Sequence, residues 1–195
     1  MRMAVNQRPA PSWARRPELR VGAVIAVAVA VAIVVWLVVR SGDSKSSAAP
    51  RRVEAIPPVA ASQGRIRDLS VEAGRPIYWL GAQKDRTYEL TRTTLDRIYV
   101  RYLPKGVAVG TTAARYPLVG TYPVHNAYDV LKELAKSDSE GSFTLPNGGF
   151  AVYSNSTPTN IYVAYPGSDV QIEVFDPSAA RARELVLSGR VVPVG

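Results

Sequence analysis

Arg97, Tyr99 and Arg101 fall at every second position of the run Arg97–Leu103. On an extended strand their side chains share one face, and Ile98, Val100 and Tyr102 take the other. With the apolar set as core, the polar set presents two guanidinium groups around an aromatic ring. Arg92 is expected beside them on a neighbouring strand. Guanidinium forks grip carboxylates and phosphates bidentately and stack on rings. Arg92, Arg97, Tyr99 and Arg101 are therefore read as a candidate patch for an anionic polymer or an acidic partner. The competing reading is an ordinary solvent face whose charges are paired by Asp85, Glu89 and Asp96.

Other chemistry is sparse. The chain has no cysteine and one histidine, which removes thiolate metal sites, disulfides and cysteine nucleophiles. It carries no G-x-S-x-G elbow, H-E-x-x-H, P-loop, S-x-x-K or Rossmann glycine pattern. Gly106 and Gly110 lack the third glycine of a dinucleotide loop. His125 has Asp129 nearby but no activated serine, and is read as a surface or helix-cap residue. Asp138, Ser139 and Glu140 resemble a fragment of a calcium loop without its full run of ligands, so a solvated turn is expected. No metal, no cofactor and no catalytic residue is assigned.

The charge distribution points elsewhere. The 195 residues carry a net charge of +8, yet residues 1–64 hold nine Lys and Arg against three acids. That leaves a net of only +2 for the rest. A nucleic-acid domain carries its charge on a folded face, so nucleic acid is not an expected partner. Here the charge flanks Val21–Val39, VGAVIAVAVAVAIVVWLVV. As a helix these residues span about 28 Å, close to the roughly 30 Å hydrocarbon core of a bilayer. A helix satisfies its own backbone groups in lipid, and Trp36 is placed for the headgroup level.

The apolar run is longer than a signal-peptide core, and Arg40, Asp43 and Lys45 follow it where small residues would mark cleavage. An uncleaved signal-anchor is expected. Five positive charges precede the span and four occupy positions 40–59. This bias predicts a cytoplasmic N-terminus and an extracytoplasmic C-terminal domain. Gly22, Ala26 and Ala30 lie four apart on one helix face, a spacing that permits close helix packing and a weak homodimer. Lipid-facing packing without a partner is the alternative. Residues 1–20 read as a basic disordered tail. Residues 40–61, rich in Ser, Ala and Pro, read as a linker.

The elements that must position the patch lie in residues 62–192. Arg65–Glu72 is an expected helix stopped by Gly74. Ile77–Leu80 is an expected strand, Tyr88–Thr93 and Arg97–Leu103 a hairpin, and Leu118–Tyr122 a further strand. Asn126 is expected to cap a helix with Asp129 in a capping box, and Ala127, Leu131, Leu134 and Ala135 as its buried stripe. Ser142–Leu145 with Phe150–Ser154, and Ile161–Tyr165 with Val170–Phe175, read as hairpins across turn clusters. Asp176 as N-cap, Pro177 at the first turn and Gly189 as stop frame a last helix. The order predicts an α+β fold with a largely antiparallel sheet and two or three helices, preceded by the transmembrane helix. Ile77–Tyr78 with Asp85, Glu89 and Leu90 matches Ile161–Tyr162 with Asp169, Glu173 and Val174 at a constant offset of 84. A duplicated unit would produce this, and so would chance among β-rich strands.

The strings PIYWLG, YELT, RIYVRYLPKGV, VGTYPV, NAYDVLKELAK, GGFAVYS and NIYVAYPGSDVQIEVFDPS resemble an uncharacterised family of bacterial single-pass membrane-anchored proteins over about residues 74–190. The resemblance implies a bacterial envelope setting and no catalytic residues. The expected function is a membrane-anchored binding or scaffolding module, with the lipid bilayer and an envelope polymer or membrane protein as partners. The alternatives are a subunit of a membrane complex, joined through the helix or a sheet edge, and an envelope-polymer hydrolase built on carboxylates.

Overall fold

Alternation of apolar and polar residues fixes the sheet. In the computed structural model, which describes residues 53–195, the strands are β1 (Ile56–Ala61), β2 (Tyr78–Trp79), β3 (Arg86–Arg92), β4 (Ile98–Pro104) and β5 (Leu118–Pro123). They continue as β6 (Glu140–Thr144), β7 (Phe150–Ser154), β8 (Asn160–Ala164), β9 (Val170–Phe175) and β10 (Val192–Pro193). Helices α1 (Gln63–Ala73), α2 (Ala127–Leu134) and α3 (Ala179–Leu187) separate the groups. Eight strands form one sheet in the order β1-β3-β4-β5-β9-β8-β7-β6, and β10 pairs with β2. Every pairing is antiparallel, as the short connections require.

One face of the sheet carries the main core. Ile98, Val100 and Tyr102 of β4 are fully buried there and join Ile66 and Leu69 of α1, Trp79 of β2, and Leu185 and Val186 of α3. On the other face, α2 covers only one end: Ala127 and Leu131 pack on Val152 of β7 and Ala164 of β8. Beyond that helix, the opposite face over β3, β4, β5 and β9 is left to the long β4–β5 connection.

Local signals explain the ends of α1. The Ser62 hydroxyl accepts from the Arg65 N–H at 3.2 Å, and Gly74 closes the helix at φ 64, where a side chain would be strained. Two expected caps are corrected. Asn126 sits at φ 51 and makes no side-chain cap, so the capping box with Asp129 is not formed. The Asp169 carboxylate, from the β8–β9 turn, accepts the Asn126 N–H at 2.8 Å instead. In α3, Ser178 is the N-cap, and Pro177 precedes the helix. Asp176 accepts the Ser178 N–H at 2.9 Å, so it braces the cap rather than being it.

Two larger expectations are corrected as well. Residues 56–61 are not linker: they form β1, paired along β3. Pro57 and Pro58 lack N–H donors and are tolerated because β1 is an edge strand. The duplication also fails. Ile161–Tyr162 and Glu173 belong to a true hairpin, β8 with β9, whereas Tyr78 belongs to a separate ribbon with β10. The offset of 84 therefore joins unlike surroundings. The expected span Val21–Val39, with Gly22, Ala26 and Ala30, lies outside the described residues. Among the described residues no helix is long and apolar enough to cross a membrane.

Candidate functional site

The uncovered face is a pocket with a polar row in its floor. Strand register sets Tyr99 of β4 opposite Gly120 of β5, Gly120 opposite Glu173 of β9, and Glu173 opposite Tyr162 of β8. Gly120 is needed because the Tyr122 ring lies across it. A Cβ there would fall 2.7 Å from the Tyr122 hydroxyl oxygen, closer than packed atoms tolerate.

Glu173 is buried. The Tyr122 hydroxyl donates to its Oε2, and the Asn160 side-chain amide donates to Oε1 at 2.5 Å. Burial raises the Glu173 pKa. The hydrogen bonds and the Arg97 charge pull it back only in part, so the carboxyl stays above its ordinary value. Burial, followed by the facing Glu173 charge, pushes the Tyr122 and Tyr162 phenols upward. Both remain donors at neutral pH. Tyr99 packs edge-on against Tyr122, with centroids 5.6 Å apart, and the Arg97 guanidinium carbon stands 5.5 Å from the centre of the Tyr122 ring.

The roof is the β4–β5 connection, residues 105–117, and one ion pair holds it. Glu89 of β3 and Arg101 of β4 face each other in register and meet at 2.6 Å. Each also reaches the loop. Glu89 Oε2 accepts the Gly110 N–H at 2.6 Å, and Arg101 Nη2 donates to the Thr111 carbonyl at 2.7 Å. Gly110 sits at φ 81, a conformation that presents its N–H to Glu89 without Cβ strain. The Tyr102 N–H bonds the Pro117 carbonyl at 2.9 Å and closes the loop's far end. Floor and roof enclose about 360 Å³, with Tyr99, Ala113, Tyr116, Leu118, Tyr122 and Phe175 among the lining residues.

Three of the four expected patch residues are brought together: Arg97, Tyr99 and Arg101 all line this pocket. Arg92 does not join them, and that expectation is corrected. It lies opposite Ile98 in the register and so projects from the core side of the sheet. There it bonds Glu72 and Asp96, each at 2.6 Å. Asp96 also receives Arg75 at 2.5 Å. Burial alone would raise the Asp96 pKa, but hydrogen bonds from Arg75 and Arg92 outweigh it and hold the carboxyl below its usual range.

The expected neutralisation of the patch is met in part. Glu89 pairs Arg101, while Asp96 is spent on the other face. Among the described residues Arg97 makes no ion pair. His125 is an exposed residue whose Nδ1 lies 3.0 Å from Asp169. Asp138 and Ser139 lie in the turn that leads into β6.

Sequence reasoning missed Glu173, Tyr122, Asn160 and the roofing loop. A signal for Glu173 existed. It is an acid in the middle of a strand, Val170–Phe175, whose first five residues are all buried, and such an acid needs partners. Comparison with protein-family models, with curated proteins and with solved structures found no match.

Proposed function

We propose that this chain is a ligand-binding module held at the outer face of a bacterial cytoplasmic membrane, with Val21–Val39 as its anchor. The observation that carries the binding reading is the roofed pocket. A loop is tied down over a sheet face by Glu89 and Arg101, and the space beneath it is walled by aromatic side chains. Pockets of this kind, mostly apolar with a few placed polar groups, are the usual form of a small-molecule site.

The state of the acids favours binding over catalysis. A general acid or base must reach substrate. Both oxygens of Glu173 are taken by Tyr122 and Asn160, and both of Glu89 by Arg101 and Gly110. The hydrolase reading draws on one feature alone, the raised Glu173 carboxyl, and would need that network to open. Assembly through Gly22, Ala26 and Ala30 is compatible with binding and is a separate question.

The test is extraction of the full chain from its native membrane, followed by native mass spectrometry. A co-purified small molecule that disappears when Ala113→Trp fills the pocket is the expected result. Identical mass profiles for the two proteins would refute the binding reading. The membrane setting is tested separately by carbonate washing and by protease treatment of intact spheroplasts. Retention in the pellet and digestion of the domain are expected.

A further inference from the structure

We infer that the pocket takes a small organic anion, a carboxylate or phosphate seated on the Arg97 guanidinium with a flat apolar body between the rings. This rests on the binding reading above and names its ligand class.

Charge complementarity carries the argument. The pocket wall holds two cations, Arg97 and Arg101. Arg101 is neutralised by Glu89 and also bonds the Thr111 carbonyl, both through Nη2, while its Nε has no partner among the described residues. Arg97 has no carboxylate partner among the described residues, and its guanidinium is fixed over the face of Tyr122. A guanidinium without a carboxylate partner can donate bidentately to an incoming carboxylate or phosphate. The two acids of the pocket are already engaged, Glu89 by Arg101 and the Gly110 N–H and Glu173 by Tyr122 and Asn160. A positively charged ligand would meet the Arg97 charge and no unpaired carboxylate.

Size and lining set the rest. About 360 Å³ lies near the lower end of the roughly 300–1,000 Å³ range of ligand pockets. That suits a compact body rather than a polymer chain or a two-chain lipid. Tyr99, Tyr116, Tyr122 and Phe175 present ring faces and edges on which a flat body packs. The broad expectation of an anionic polymer thus narrows to a small molecule, or to one terminal group of a larger one.

The test uses the full chain in nanodiscs, with empty nanodiscs subtracted, and ligand-observed NMR. The probes are 2-naphthoate, 2-naphthyl phosphate and the neutral 2-naphthamide. The two anions separate carboxylate from phosphate preference. At least one anion is expected to bind about tenfold or more tightly than the amide, the scale of one charge-assisted contact. Arg97→Gln is expected to abolish that preference while the domain stays cooperatively folded, and Arg97→Lys to retain part of it. Equal binding of amide and anions, or an undiminished preference in Arg97→Gln, overturns the ligand class while leaving the pocket as a binding site. Should no probe bind, and Ala113→Trp leave the co-extracted material unchanged, the binding reading falls and this inference falls with it.

Discussion

Glu173 and Asp96 are carboxylates that folding moves in opposite directions, and their effects on stability differ in sign. Glu173 is held above its ordinary 4.5 by burial, so the native state keeps a proton that the unfolded chain releases. Stability therefore falls as pH rises past 4.5 toward the native value and then levels off. Glu173→Gln removes that slope. Its melting temperature relative to the parent is expected to climb as pH rises above 4.5 and then to level off, and a flat difference would contradict the raised carboxyl. Asp96 is held below its ordinary 3.8 by Arg75 and Arg92. Its contribution is complete above 3.8 and is lost as pH falls through the lower native value. Asn suits the same backbone, since position 96 sits at φ 59 and Asn tolerates that region. Asp96→Asn is thus expected to cost about 3 kcal/mol at neutral pH, because it leaves mostly buried guanidinium charge behind. Urea titrations should find the penalty shrinking in acid.

At the level of elements, the β4–β5 loop depends on two side chains rather than on packing. Arg101→Ala leaves Glu89 buried without its counter-charge, a loss of about 3–5 kcal/mol. It should also free the roof, so limited proteolysis is expected to cut within 105–117 before the rest of the domain. Unchanged cleavage there would mean that the loop is held otherwise. On the far side, α2 is short and rests on Leu131, so Leu131→Ala should cost about 2–5 kcal/mol in chemical denaturation.

Most strands of the main sheet are legible element by element because their apolar residues alternate; β1 and the short β10 are not. Ile98, Val100 and Tyr102 announced the core side of β4, and with it the shared face of Arg97, Tyr99 and Arg101. The side of Arg92 is legible in its own strand, because it alternates in phase with Leu90, which is core, and so lies on the face opposite Glu89. The Asn126 cap was misread for a different reason. The group that satisfies the helix end, Asp169, is 43 residues away, and no local pattern points to it. The pocket roof was invisible because its glycines and threonines carry no periodicity. The Glu89–Arg101 pair and a few backbone bonds, none of them legible as a local pattern, hold it in place.

Across the whole molecule the sheet is the frame and the membrane segment its expected address. Ile56–Ala61 was assigned to the tether because Pro57 and Pro58 argue against regular structure. As the outermost strand it needs fewer donors than an inner one, and the prolines also guard that border against a second chain. The sheet's other border, β6, has no such guard.

The position of β1 has a mechanical consequence. It is the first element of the described residues, it lies directly against β3 with Ala60 opposite Glu89, and its Pro58 lines the pocket. A pull on the N-terminal side of the domain reaches β1 first, at Ile56, which pairs Arg92 at the end of the β1–β3 ladder. Single-molecule pulling from the N-terminus should therefore record a small early rupture before the main one. On the proposed anchoring, tension on β1 would reach the pocket wall through Pro58, which lines it.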